Sequence, residues 1–236
     1  PEKLAEHLGK LETSGRLLLG IINDILDMSR IESGKTTLNI EKTNLPQQVS
    51  QLDSIIRQQA SQRRQTFTVE NHVQHENVLA DPNRLNQVLM NILSNAVKYT
   101  PDGGEVLFEE ERLQEERSGY LNYQFVVKDN GIGMSEEFLE RLFEPFARED
   151  NSMTNVTQGT GLGLSIAKSI LGMMGGGIEV KSRQGLGTTF VVTLRLARAK
   201  KTGVENCLQP EKSAADRTHF AGMRILLVED NALNME

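Results

Sequence analysis

Apolar positions set out most of the elements before any chemistry is considered. Leu4, Leu8, Leu11, Leu18, Ile21, Ile22, Ile25, Met28 and Ile31 recur mainly at spacings of three and four, which predicts one long amphipathic helix over residues 4–33. Gly34 follows as its C′ residue. A stripe of that length needs a partner. It either packs on the main domain or forms half of a helical hairpin, and its length favours the hairpin. Pro46 opens a second helix that runs to about Arg64, and Phe67, Val69 and Asn71 begin strand-like alternation. Asp81 then caps a strong helix with Pro82 at its first position. Leu85, Val88, Leu89, Ile92, Leu93 and Ala96 form the buried face of that helix, which ends near Tyr99 before a Pro-Asp-Gly-Gly turn. Residues 105–111 and 121–128 read as antiparallel strands, 143–161 as irregular, 162–174 as a helix, and 178–182 and 188–196 as two more strands. The expected fold is α+β: a two-layer α/β sandwich with a mixed, mostly antiparallel sheet, helices on one face and one long helix in front. From Ala197 to Gly222 the chain is polar and aperiodic, as a linker is; Met223–Val228 is a short apolar strand followed by Glu229-Asp230-Asn231.

Composition narrows the function classes. In 236 residues the formal charge is −6, and no basic stripe breaks it, so a nucleic-acid surface is not expected. Cys207 is the single cysteine, which excludes an internal disulfide and fits a reducing compartment. No apolar run approaches the roughly 20 residues that span a bilayer. The expectation is a cytoplasmic segment, with membrane anchoring of a longer parent left open. The chain starts inside a helical pattern and stops inside another motif, so it is expected to be a fragment.

Four segments could carry chemistry. Asn91, Asn95 and Lys98 share one helix face, where two amide oxygens and an ammonium suit a magnesium–phosphate cluster; an ordinary solvated polar face is the alternative. Asp129-Asn130-Gly131-Ile132-Gly133 follows a strand directly. Its glycines permit close approach and its carboxylate can accept from an exocyclic amine, though a tight turn explains it as well. Gly159-Thr160-Gly161-Leu162-Gly163-Leu164 opens a helix, whose unpaired amides form an anion site. It matches neither the P-loop, since no Lys follows at the required place, nor the dinucleotide fingerprint, since the third glycine is missing. Gly185-Leu186-Gly187-Thr188-Thr189-Phe190 leads into the last strand and by itself reads as a hairpin.

Taken in order, with Phe143-Glu144-Pro145-Phe146 between the second and third, these segments resemble the N, G1, F, G2 and G3 boxes of the histidine-kinase ATP-binding domain. The resemblance covers roughly residues 38–197. Upstream, residues 17–34 look like the second helix of that family's dimerisation hairpin; downstream, residues 224–231 look like the first strand and acidic pair of a receiver domain. The combination resembles a hybrid sensor kinase. It implies a partial hairpin over 1–35, an ATP-binding domain over 36–197, a linker over 198–222 and the start of a receiver domain over 223–236. It also implies ATP and Mg2+ as ligands, with Asn95 on the metal, Asn91 and Lys98 on phosphate or metal-bound water, and Tyr99 beside the nucleotide. Asp129 would bond the adenine amine with Thr189 in support, and Gly131 and Gly133 would let the nucleotide seat closely. Gly159, Thr160, Gly161, Leu162, Gly163 and Leu164 would hold phosphates, and Phe143 and Phe146 would anchor a lid that ends near Gly161. Arg148 is either a phosphate contact or a solvated lid charge.

The resemblance bears on reaction type. Related gyrase- and Hsp90-like ATPases carry a Glu at the place of Asn91, and an amide cannot act as a general base. Transfer to a presented nucleophile is therefore favoured over hydrolysis. The nucleophile would be a histidine on the first hairpin helix of the same or a partner subunit, in a homodimeric parent that also carries its receiver. None of His7, His72, His75 and His219 has the family's phosphoacceptor context. The fragment is thus expected to bind ATP–Mg2+ without autophosphorylating. A hydrolysing ATPase and a nucleotide-sensing scaffold are the rival readings.

Overall fold

Burial alternates along the strands and follows three-and-four spacing along the helices, and the two patterns meet in one core. The structure is a computed structural model that describes residues 2–73, 77–113, 119–149 and 160–199; along the first helix it describes side chains at 14, 15 and 18–31. The expected receiver start, His75, His219, Gly159 and all but two residues of the expected linker lie outside the described residues.

Helix α1 (Glu2–Glu32) ends as expected: Gly34 takes φ +65°, and the Lys35 amide reaches back to the Arg30 carbonyl at 3.0 Å. Strand β1 (Glu41–Asn44) leads into α2 (Leu45–Gln62), where the Asn44 side chain accepts from the Gln47 amide. β2 (Thr66–Asn71) and β3 (Asn77–Ala80) precede α3 (Pro82–Tyr99). Asp81 caps α3 by accepting from the Asn83 and Arg84 amides at 3.1 and 3.0 Å. β4 (Glu105–Arg112), β5 (Tyr120–Asp129), the short α4 (Glu136–Arg141), α5 (Gly163–Met173), β6 (Gly177–Arg183) and β7 (Gly187–Arg198) complete the order.

The sheet runs β1-β3-β7-β5-β4-β2, with β6 paired to β7 beside that path. β2 and β4 are parallel and every other pairing is antiparallel. This is the mixed, mostly antiparallel sheet that the sequence predicts. Phe108, Tyr123, Phe125, Val127, Phe190, Val192 and Leu194 turn to one face and bury against Leu52, Ile56, Leu85, Leu89, Ile92, Ile166 and Ile170 of the helices. The core is mostly aliphatic, as the scarcity of aromatics implies, with Phe108 and Phe125 stacked at 6.4 Å between centroids.

Three elements are absent from the sequence reading: β1, β3 and α4. β1 and β3 have four residues each, too few to show a period, and pairing creates them, β1 with β3 and β3 also with β7. α4 had a usable signal: Ser135 accepts from the Phe138 amide and two glutamates fill the first turn. Among the described residues, no helix is long and apolar enough to cross a membrane.

Candidate nucleotide site

The three side chains that share a face of α3 all line one pocket. Asn91, Ser94, Asn95, Lys98 and Tyr99 form its wall from α3; Asp129, Ile132, Gly133 and Met134 come from the end of β5 and the loop after it. Thr160, Gly161, Gly163 and Leu164 come from the start of α5, and Thr188 and Phe190 from β7. The Asn91 amide nitrogen donates to the Gly163 carbonyl at 2.9 Å, which ties α3 to the α5 start and leaves the amide oxygen as the acceptor offered to the pocket. The Lys98 ammonium lies 4.7 Å from the Tyr99 ring centroid. No side chain caps the N-terminus of α5, where Leu162 stands at the cap position, so its first amides keep their anion-binding character. Hard amide oxygens beside an ammonium and helix-terminal amides fit a magnesium-bound phosphate chain.

At the other end, Asp129 is buried. Its Oδ1 accepts from the amides of Gly131 at 2.9 Å and Thr188 at 3.2 Å, and its Oδ2 takes neither bond. Burial pushes the Asp129 carboxyl up, and the two amide bonds offset part of that rise. Ser182 accepts from the Met134 amide at 2.9 Å and donates to the Gly187 carbonyl at 3.0 Å, fixing the loop after β5 against the β6–β7 hairpin. Ile132, Met134, Phe138 and Leu142 add an apolar lining. A buried acceptor in an apolar slot suits a flat heterocycle with an exocyclic amine.

Several expected residues take other positions. Thr189 does not line the pocket; Thr188 does. Thr188 pairs with Asp129, whereas Thr189 lies between Lys128 and Lys181, both exposed on the outer face. Strict alternation back from buried Phe190 contained that answer. Phe146 is not an apolar anchor: it is 63% exposed with φ +64°, its amide donating to the Gly161 carbonyl at 3.1 Å. Phe143 does pack on the core, with the Lys168 ammonium 4.9 Å from its ring centroid. Leu162 is core and is not part of the pocket lining. Gly131 and Gly133 are glycines for the chain's own packing. A Cβ at Gly131 would meet the Tyr99 carbonyl at 2.6 Å, and one at Gly133, where φ is +63°, would collide with the Arg183 carbonyl. Arg148 lines the pocket, as do Ala147 and Glu149. His72 is exposed beside Glu70 and Glu109, away from the pocket lining.

One pocket residue comes from the helix in front, where the sequence reading placed no site residue. Asp24, from α1, accepts from the Thr160 hydroxyl at 3.2 Å and lines the same pocket. Burial pushes its carboxyl up; the Thr160 bond opposes this and the Asp27 charge adds to it. Only the tertiary fold joins residues 136 positions apart.

The signature of the family described as histidine kinase-, DNA gyrase B- and HSP90-like ATPase matches residues 80–198, and the chain belongs to that family. Its relatives include sensor kinases. It is 35% identical over 235 residues to the autoinducer 2 sensor kinase/phosphatase LuxQ of Vibrio vulnificus strain CMCP6, covering 98% of this chain and 27% of that protein. It is 36% identical over 231 residues to the sensor protein GacS of Pseudomonas syringae pv. syringae, covering 97% of this chain and 24% of that one. The chain thus spans about a quarter of the length of these relatives. Among solved structures, full-length ShkA in complex with AMPPNP is similar with a TM-score of 0.69 at 28% identity, over 82% of this chain and 39% of that one. The catalytic domain of histidine kinase ThkA gives 0.56 at 25% identity, over 66% of this chain and 95% of that one. Residues 80–198 are therefore an ATPase domain of the kind found in sensor histidine kinases.

Proposed function

We propose that this chain is the ATP–magnesium-binding catalytic core of a hybrid sensor histidine kinase, which transfers the γ-phosphate of ATP to a histidine on a helical hairpin. The observation that carries this reading is the single pocket lined at one end by Asn91, Asn95, Lys98 and the α5 start, and at the other by buried Asp129. Asp129 would accept from the adenine amine through Oδ2, and Ile132, Met134 and Phe138 would cover the ring. Asn95 would hold magnesium, which neutralises phosphate charge when bound, while Asn91 and Lys98 meet the phosphates or the metal's water. The amides that open α5 would bind the phosphate chain. Asn91 offers no proton acceptor strong enough to activate water, so the arrangement favours positioning and in-line transfer over hydrolysis.

In this reading residues 1–35 are the second helix of the hairpin, 36–197 the catalytic domain, 198–222 a linker and 223–236 the start of a receiver. The acceptor histidine would lie on the other helix of the hairpin, on the same subunit or its partner in a homodimer, and the domain works on the cytoplasmic side. The exposed apolar stripe on α1, with Leu18, Leu19, Ile22, Ile25 and Leu26 all open, supports a missing helical partner. The test is to extend the chain upstream through the first hairpin helix and supply ATP and magnesium. Acid-labile phosphate on that helix is expected; steady phosphate release without it would make the protein a hydrolase instead.

A further inference from the structure

Helix α1 does more than precede the ATPase domain; it reaches into the nucleotide pocket. Asp24, Asp27, Met28 and Ile31 lie on one face of α1 at helical spacing, and that face is docked. Met28 and Ile31 pack on the core. Asp27 accepts from Arg84 at 3.1 Å and from Gln87 at 2.9 Å, both on α3, so the register of α1 is fixed one turn from the pocket. In that register Asp24 meets Thr160, the first described residue of the segment that opens α5.

Thr160 has one hydroxyl proton. Its oxygen accepts from the Leu162 amide at 3.2 Å, and its proton goes to Asp24 at 3.2 Å. While this bond stands, the hydroxyl cannot donate to a phosphate. A carboxylate also occupies the end of the pocket where, on the reading above, a triphosphate must enter. Like charges in a partly buried cleft repel strongly, because little water screens them.

We propose that Asp24 is a gate on the nucleotide site: α1 docks by an Asp24–Thr160 latch that Mg·ATP must break, so nucleotide binding and α1 docking oppose one another. The coupling is reciprocal, as any linkage between two binding events must be. A hairpin helix held against the domain lowers nucleotide affinity, and bound nucleotide frees the helix. The inference rests on the nucleotide assignment and adds a residue and a direction of control to it.

The test compares the wild-type chain with Asp24→Asn, which removes the charge at nearly constant shape, by calorimetric titration with Mg·AMPPNP. The gate predicts that Asp24→Asn binds more tightly, by about 3- to 30-fold. It also predicts that saturating Mg·AMPPNP speeds amide hydrogen exchange across residues 18–32 of the wild type while protecting 160–173. Weaker binding by Asp24→Asn would make Asp24 a ligand of the magnesium–nucleotide complex and overturn the gate. Equal affinities would remove the gate alone, and so would wild-type exchange over 18–32 that stays constant or slows. Binding by neither protein would remove the nucleotide assignment and the gate with it.

Discussion

Asp129 shows most clearly how a single side chain is prepared for its role. Gly131 and Thr188 hold one oxygen with backbone amides, which orients the carboxylate, and burial makes its charge costly. Asp129→Asn is expected to weaken ATP binding by about 1–3 kcal/mol, the cost of losing a charged acceptor, and unchanged affinity by calorimetry would refute the adenine assignment. The sign of its pH dependence follows from the raised carboxyl. Folded protein takes up the proton at a higher pH than the unfolded chain does, so this group's contribution to stability falls as pH rises through that interval. On the adenine assignment, ATP recognition needs the ionised form and should therefore be lost on acidification at a pH above the usual carboxylate range. The Asn variant should lack that acid limb. At this scale Asn91, Asn95, Lys98 and Asp129 were legible because helical spacing and a strand end fix where they go. Asp24 was not, because no local pattern reports a contact across the fold.

At the scale of elements, α3 is the part on which the site depends. Its cap is unusually well connected: Asp81 is buried, Oδ1 accepts from two amides at the helix start, and Oδ2 accepts from the Asn39 amide at 2.9 Å. Asp81→Ala should lower unfolding free energy by about 2 kcal/mol, combining a lost cap with an amide left without its acceptor. Chemical denaturation measures this, and a loss under about 0.5 kcal/mol would show that the cap is unimportant. The same element shows why sequence reading succeeded where it did. Asp81-Pro82, a three-and-four apolar face and a Pro-Gly turn all agree, so the bounds Pro82–Tyr99 follow from local signals. β1 and β3 lack such agreement; pairing alone creates them. Phe146 failed for a related reason. Apolarity suggested an anchor, but its left-handed backbone, tied to Gly161, turns the ring outward.

Across the described residues, helices pack on the sheet, and α1 reaches the pocket through Asp24 while Asp27 fastens it to α3. Burial alone would push the Asp27 carboxyl up, but hydrogen bonds from Gln87 and Arg84, with the Arg84 and Arg30 charges, outweigh it and hold the group below the usual carboxylate range. The stability that Asp27 contributes is therefore present at neutral pH and lost as pH falls through that lowered value. On the proposed reading, the ATPase domain and α1 are two parts of one device. That reading requires Asn95 to bring magnesium to a nucleotide in this pocket. The most direct measurement is calorimetric titration of ATP, with and without magnesium, into wild-type protein and Asn95→Ala. Wild type should bind far more tightly with the metal, and the variant should lose that dependence while keeping its unfolding temperature. A folded variant with undiminished magnesium dependence, or a wild type that takes up no nucleotide, would contradict it.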